Sequence, residues 1–170
     1  SQPANMPTKS STESHNYEFV GWGYEVNGET RIWNFNTDMV TSNLVLTAQF
    51  DAKEKGKFTV TFDFDNGEAP LEIEVYDGAK IKAEQIPANP KKAETNTAKY
   101  TFVAWINTYS EMEFDFDIAI KMDVTLRASY SVTNKYLVTI DGESQYVLHG
   151  EKLSQPANMP TKSSTESHNY

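Results

Sequence analysis

Phe58-Thr59-Val60-Thr61-Phe62-Asp63-Phe64-Asp65-Asn66-Gly67 is the stretch from which the rest of the chain can be read. Phe58, Val60, Phe62 and Phe64 alternate with Thr59, Thr61, Asp63 and Asp65. Successive side chains of a strand point to opposite faces, so this pattern predicts a strand with one face buried and one in water. Asn66-Gly67 follows as a turn signal, since both residues tolerate positive φ. Leu71-Glu72-Ile73-Glu74-Val75-Tyr76 returns with the same alternation, and Asp77-Gly78 closes it.

Worked outward, the pattern occurs twice. Phe58–Phe62 matches Tyr136-Leu137-Val138-Thr139-Ile140, whose hairpin closes at His149-Gly150. Thr101-Phe102-Val103-Ala104-Trp105 matches Glu18-Phe19-Val20-Gly21-Trp22, each behind a tyrosine (Tyr100, Tyr17). Phe114-Asp115-Phe116-Asp117 matches Trp33-Asn34-Phe35-Asn36, and Asp123–Tyr130 matches Asn43–Phe50. Pro87-Ala88-Asn89-Pro90 matches Pro156-Ala157-Asn158-Met159-Pro160. The first seventeen residues, Ser1 to Tyr17, also recur unchanged as Ser154 to Tyr170, an offset of 154 − 1 = 153 residues. The chain therefore reads as one period of a tandem array plus a short overlap, and such repeats decide the architecture.

The matches assemble two modules. Module A is continuous over residues 57–130. Module B is split: its N-terminal part is 136–170 and its C-terminal part is 1–50, with 154–170 duplicating 1–17. The short polar segments 51–56 and 131–135 are expected to be linkers. One helical turn is expected at Ile81–Gln85, and short helices at Asp38–Ser42 and Ile118–Met122. The expected fold class is α+β, strand-dominant, with two small modules in tandem and one of them split across the chain ends.

The order strand, Asn-Gly turn, strand, Asp-Gly, proline loop, Tyr-x-Phe-x-Gly-Trp, Trp-x-Phe, Asp-x-Thr-Leu-x-Ala-x-aromatic resembles the Listeria–Bacteroides repeat of internalin-type bacterial surface proteins. The most specific pieces are Tyr17–Trp22 and Asn43–Phe50. Module A departs with Ala104 for the glycine and Phe114 for the tryptophan, and both copies end in Phe50 or Tyr130 where the family usually has Trp. The resemblance implies a small β-grasp, ubiquitin-like fold in each module. It also implies a place in a cell-surface stalk or adhesin, and it brings no catalytic residues.

In the β-grasp the first and last strands run parallel as neighbours, so the ends of a module lie about 20 Å apart for a six-residue strand. The halves of module B are thus expected to leave module A at opposite ends. An unpaired half exposes a sheet edge. Each half is expected to find its complement in a neighbouring copy, head to tail.

Bulk composition narrows the function. A formal charge of −9 opposes nucleic acid, whose phosphates need clustered Lys and Arg, and opposes anionic membranes. A hydrophobic fraction of 38% supports small cores, and no apolar run approaches the ~20 residues of a membrane helix. Absence of cysteine removes disulfides, thiolate nucleophiles and cysteine-zinc sites.

Candidate chemistry is thin. Asp63–Glu68 looks like a calcium loop, but its glycine comes one residue early and position twelve, Glu74, falls in a strand. Asp115 and Asp117, with Asp123, offer a second cation candidate, but the alternation of Phe114 and Phe116 favours one solvated strand face for Asp115 and Asp117. His15, its copy His168, and His149 lack metal-ligand spacing. Ser10, Ser11 and Ser14 lie in a loop without a nucleophile elbow. Trp22 and Trp105 occupy one slot in both copies and are expected in the core with Phe19, Phe102, Leu46 and Leu126. Trp33 is the candidate ligand contact. Lys57 and Lys135 are the positions to inspect for a Lys–Asn isopeptide, although solvated lysines are the favoured reading.

These readings favour a structural, non-enzymatic repeat of a fibre or adhesin stalk on the bacterial cell surface, extracellular, with no catalytic, metal or cofactor site. Its expected partners are neighbouring copies of itself and, further, a host or matrix protein or glycan. Neither nucleic acid nor membrane insertion of this segment is expected. The alternative is an adhesive module binding protein or glycan through Trp33 and loop 5–16, copied at 158–169.

Overall fold

Period-two alternation becomes nine strands in the computed structural model, which describes residues 5–155. They are β1 (His15–Val26), β2 (Glu29–Ile32), β3 (Thr47–Glu54), β4 (Lys57–Asp63), β5 (Leu71–Tyr76), β6 (Ala98–Asn107), β7 (Met112–Glu113), β8 (Val124–Ile140) and β9 (Glu143–Leu148). Helix among the described residues is one 3-10 turn, Ala83–Gln85, inside the expected 81–85. His168 and the loop copy at 158–169 lie outside the described residues. The chain divides into two compact units: residues up to Pro90 with Ala104–Ser129, and Lys91–Val103 with the residues from Tyr130 onward.

The first unit contains a three-stranded sheet in the order β2-β1-β3. Asn27-Gly28 joins β1 to β2 with positive φ at both residues, the two-residue turn whose twist matches a hairpin. The register of β1 on β3 shifts between Phe19 and Gly21, a β-bulge. Gly21 sits there at φ +155, and a Cβ would fall 2.7 Å from Ile32 Cγ2. Gly21→Ala is therefore expected to destabilise this sheet by about 1–2 kcal/mol, read from the urea midpoint. An unchanged midpoint would mean that Ile32 simply moves aside.

The same unit holds the hairpin read first. β4 and β5 pair antiparallel, with Phe62 opposite Leu71 as the last rung, in the strand order β5-β4-β8-β6-β7. The connection is thus a longer loop around Asn66-Gly67, in place of a two-residue turn. It is shaped by the side-chain oxygens Asp63 Oδ1 and Asn66 Oδ1 accepting from the N–H groups of Asp65 and Glu68. β4 and β8 run parallel in the register Val60↔Val124, Thr61↔Thr125, Phe62↔Leu126, Asp63↔Arg127. The Thr59 N–H donates to Asp123 Oδ1 at 2.8 Å where this ladder begins, and Arg127 reaches Asp63 at 3.0 Å where it ends. Inward residues of both strands are sealed: Val60, Phe62 and Leu126 have no exposed surface, and Ile81, Trp105 and Ile120 pack as buried residues.

In the second unit, the C-terminal part of β8 turns back as β9 through Asp141-Gly142, again with positive φ at both residues. The segments expected to be linkers are largely extended. Residues 51–54 belong to β3, and 131–135 lie inside the unbroken β8. Lys55 N–H donates to Ser14 O and Lys135 N–H to Thr97 O, so backbone pairing overrides polar composition.

The helices expected at Asp38–Ser42 and Ile118–Met122 do not form. Asn34 and Asp115 side chains accept from the N–H two residues on, the local bonding that competes with helix. In addition, Ile120 exchanges backbone bonds with the hairpin end, its N–H to Ala79 O and its C=O from Gly78 N–H, both 2.8 Å.

Candidate functional site: an open sheet edge

Residues 9–55 and 92–135 share a set of contacts at matched positions. Lys9 Nζ lies 4.1 Å from the Tyr17 ring centroid and 6.0 Å from that of Phe50; Lys92 lies 5.4 and 5.2 Å from Tyr100 and Tyr130. Such cation–π contacts tie the loop to the aromatic residues of the adjoining strands. Thr12 N–H donates to His15 O, and Thr95 N–H to Ala98 O. Trp33 N–H donates to Trp22 O at 2.7 Å, and Phe114 N–H to Trp105 O at 2.8 Å. Loop 5–16 is therefore built on a defined turn, with Ser11 bonded to Asn16 and Ser14 to His15.

The difference lies on the side that β4 and β5 cover in module A. Ile120 is 1% exposed, but its counterpart Val40 is 71% exposed. Leu126 is sealed, while Leu46 is half-buried. β8 is already strand at Val124, whereas residues 43–46 carry no strand and β3 begins only at Thr47. β3 stands at the edge of its sheet. Trp22 Nε1, buried at the atom, has no hydrogen-bond partner. Every buried apolar residue among the described ones falls between Val60 and Ala128. Residues 15–54 thus form a sheet with its apolar face unfinished, a feature that normally marks an interaction surface.

Of the residues expected in the core, Trp105 and Leu126 are buried, while Trp22, Phe19, Phe102 and Leu46 are half-buried. Trp33 is half-buried and packs edge-to-face on Tyr24 at 5.7 Å, which leaves it a partial platform. The acidic candidates are engaged in structural bonds: Asp63 with Arg127, Asp117 with Lys80, and Asp123 with the Thr59 backbone. Asp115 caps its own turn. His149 packs on Tyr136, 5.9 Å between rings. Lys57 pairs with Glu74 at 3.0 Å, and Lys135 pairs with Glu94. The sequence reading overlooked Lys9, Lys92, Val40 and Asn43. The signal for the lysines was their fixed spacing of eight residues before each Tyr17/Tyr100.

The Lys135 ammonium holds the Glu94 carboxyl below its ordinary pKa, chiefly through its hydrogen bond. A carboxyl depressed in the folded state stabilises fully above the unfolded pKa, about 4.3 for glutamate. That stabilisation disappears as pH falls through the depressed value. The stability gap between this chain and Glu94→Gln is therefore expected to be constant above about pH 5 and to shrink in acid, measured by urea unfolding at each pH. A gap that instead grows in acid would sink the assignment.

No helix among the described residues is long and apolar enough to cross a membrane. Two proteins of Evansella cellulosilytica resemble the chain. One, named "Putative membrane protein", is 30% identical over 132 residues, covering 76% of this chain and 18% of that protein. The other, named "Putative Gly-rich membrane protein", is 27% identical over 162 residues, covering 93% and 17%. The chain thus spans less than a fifth of either relative. No solved structure matches it significantly. The sequence pattern of the Listeria-Bacteroides repeat domain matches residues 58–129, and matches again at 2–49. With both matches together covering most of its length, the chain belongs to the Listeria-Bacteroides repeat family.

Proposed function

We propose that this chain is a structural, non-enzymatic segment of a bacterial cell-surface protein, a spacer of small β-grasp modules in tandem that sets reach. The observation that carries this reading is the continuity of strand from one module to the next. β3 leads into β4 across two residues, and β8 serves both as the last strand of module A and as the first strand of a hairpin. Modules joined through shared strands hold a spacing, whereas flexible linkers would let it collapse. The envelope location draws support from the family and from the two relatives' names. The formal charge of −9 keeps such an array soluble and self-repelling. The adhesive alternative has less support, because Trp33 is half-buried and already packed edge-to-face with Tyr24.

The test is length. Proteins containing one, two and four copies of residues 1–153 are compared by small-angle X-ray scattering. A spacer gives a maximum dimension that rises linearly with copy number. Growth closer to the square root of copy number, as in a flexible chain, would refute it.

A further inference from the structure

We propose that the open edge at residues 40–47 is completed by the Tyr136–Glu151 hairpin of a second copy of this chain. The proposal rests on the tandem-repeat reading and assigns it a register. Module A supplies the template within the same molecule. There, β4 lies parallel to β8, the Thr59 N–H reaches Asp123, and Ile120 bonds Gly78 and Ala79.

Transferred through the sequence matches, that geometry pairs Val138 with Leu44, Thr139 with Val45, Ile140 with Leu46 and Asp141 with Thr47. The Leu137 N–H then donates to Asn43 Oδ1, since Asn43 stands where module A has Asp123 and keeps the accepting oxygen. Val40 docks its backbone between Gly150 and Glu151, as Ile120 does with Gly78 and Ala79.

Both surfaces are prepared for this. The edge side keeps Val40 in water and leaves residues 43–46 outside any strand. On the hairpin side, β8 runs five residues past Lys135, where its backbone bond to Thr97 lies, and pairs with β9. The hairpin already ends in the module A turn: Glu151 N–H to Leu148 O repeats Ala79 N–H to Tyr76 O, with Gly150 and Gly78 at φ 83 and 82. Val138 and Ile140 stand half-buried, while Val60 and Phe62 in the same positions have no exposed surface. The joint is heterologous, edge to hairpin, so any joined row of copies retains one free edge at one end and one free hairpin at the other.

The chain has no cysteine, so crosslinking in the full 170-residue protein is unambiguous. Val45→Cys combined with Thr139→Cys is expected to oxidise into a ladder of multiples of 19.2 kDa on a non-reducing gel. Thr61→Cys with Thr125→Cys, the equivalent rung in module A, should close within single chains. Val45→Cys with Val138→Cys places the two sulfurs on opposite faces and should not form the ladder.

A Val45–Thr139 disulfide confined to monomers would mean that the chain's own hairpin closes the edge, and would overturn the proposal. A ladder no stronger than the off-register pair gives would overturn the register. In parallel, the unmodified chain should show a sedimentation mass that rises with concentration. Val40→Asp, at a site exposed in the single chain, should leave its circular dichroism unchanged and weaken association roughly a hundredfold. Association that survives Val40→Asp, or a monomer at every concentration, would also overturn it. Length scaling of covalently joined repeats does not depend on any of these outcomes, so the spacer reading stands or fails separately.

Discussion

Ile120→Ala is expected to lower the unfolding free energy by about 2–5 kcal/mol, while Val40→Ala in the dilute chain changes it by no more than about 0.5 kcal/mol. The two residues occupy the same slot of the repeated sequence, and their surroundings differ. Ile120 is 1% exposed and held by backbone bonds to Gly78 and Ala79, so truncation leaves a cavity that the hairpin cannot collapse into. Val40 stands in solvent and has nothing to lose. Urea midpoints for the two variants, at protein concentrations low enough to prevent self-association, decide the matter. Equal shifts would mean that the two halves of the period are equally complete, contrary to the geometry described. At high concentration the Val40→Ala penalty should grow, because the side chain then has a core to fill.

Phe62→Ala should cost about 3–5 kcal/mol. Phe62 has no exposed surface and meets the Trp105 ring edge-to-face, 5.0 Å between centroids with planes at 75°. Such ring pairs contribute about 0.5–1.5 kcal/mol beyond the area they bury. Phe62→Leu and Trp105→Leu should therefore be non-additive, the double variant losing less than the two singles summed by about that amount. Strict additivity would reduce the contact to packing alone. Phe64 touches Trp105 as well, at 5.8 Å, so part of the coupling is shared and the cycle should be repeated with Phe64 replaced.

Much of the strand content was legible because alternation has a single physical cause. Phe58–Phe62 and Leu71–Tyr76 alternate, and the fully buried positions, Val60, Phe62 and Val75, fall on the expected side of that alternation. The strand-dominant class followed from that, and the family from Tyr17–Trp22 and Asn43–Phe50. What was misread depended on partners distant in sequence. Residues 131–135 are polar and look like a linker, but Lys135 is held by Thr97 and Glu94, far upstream. Ile118–Met122 has the composition of a short helix, but Ile120 spends its backbone on Gly78 and Ala79. Two turns were missed despite clear local chemistry. Asn27-Gly28 and Asp141-Gly142 are the dipeptides that positive φ at consecutive residues demands. The open edge was anticipated from the split of module B. Its residues, Val40 and Asn43, became identifiable only against the filled positions of Ile120 and Asp123.

The parallel pairing of β4 with β8 also determines how the chain would respond to being pulled. The preceding chain enters β4 at Lys57, and the following chain leaves along β8 beyond Arg127. Tension applied through those two connections draws the neighbouring strands past one another lengthwise. The rungs from Val60 to Asp63, and the Thr59–Asp123 and Asp63–Arg127 links at either end, then share the load in shear. A hairpin peeled from its tip would instead surrender its bonds one at a time. For a tether fixed to a cell in moving fluid, the resistance of the whole would be set by its weakest ladder. In an array joined as proposed above, the ladder to compare with this one would be that whose polar anchor is Asn43 in place of Asp123.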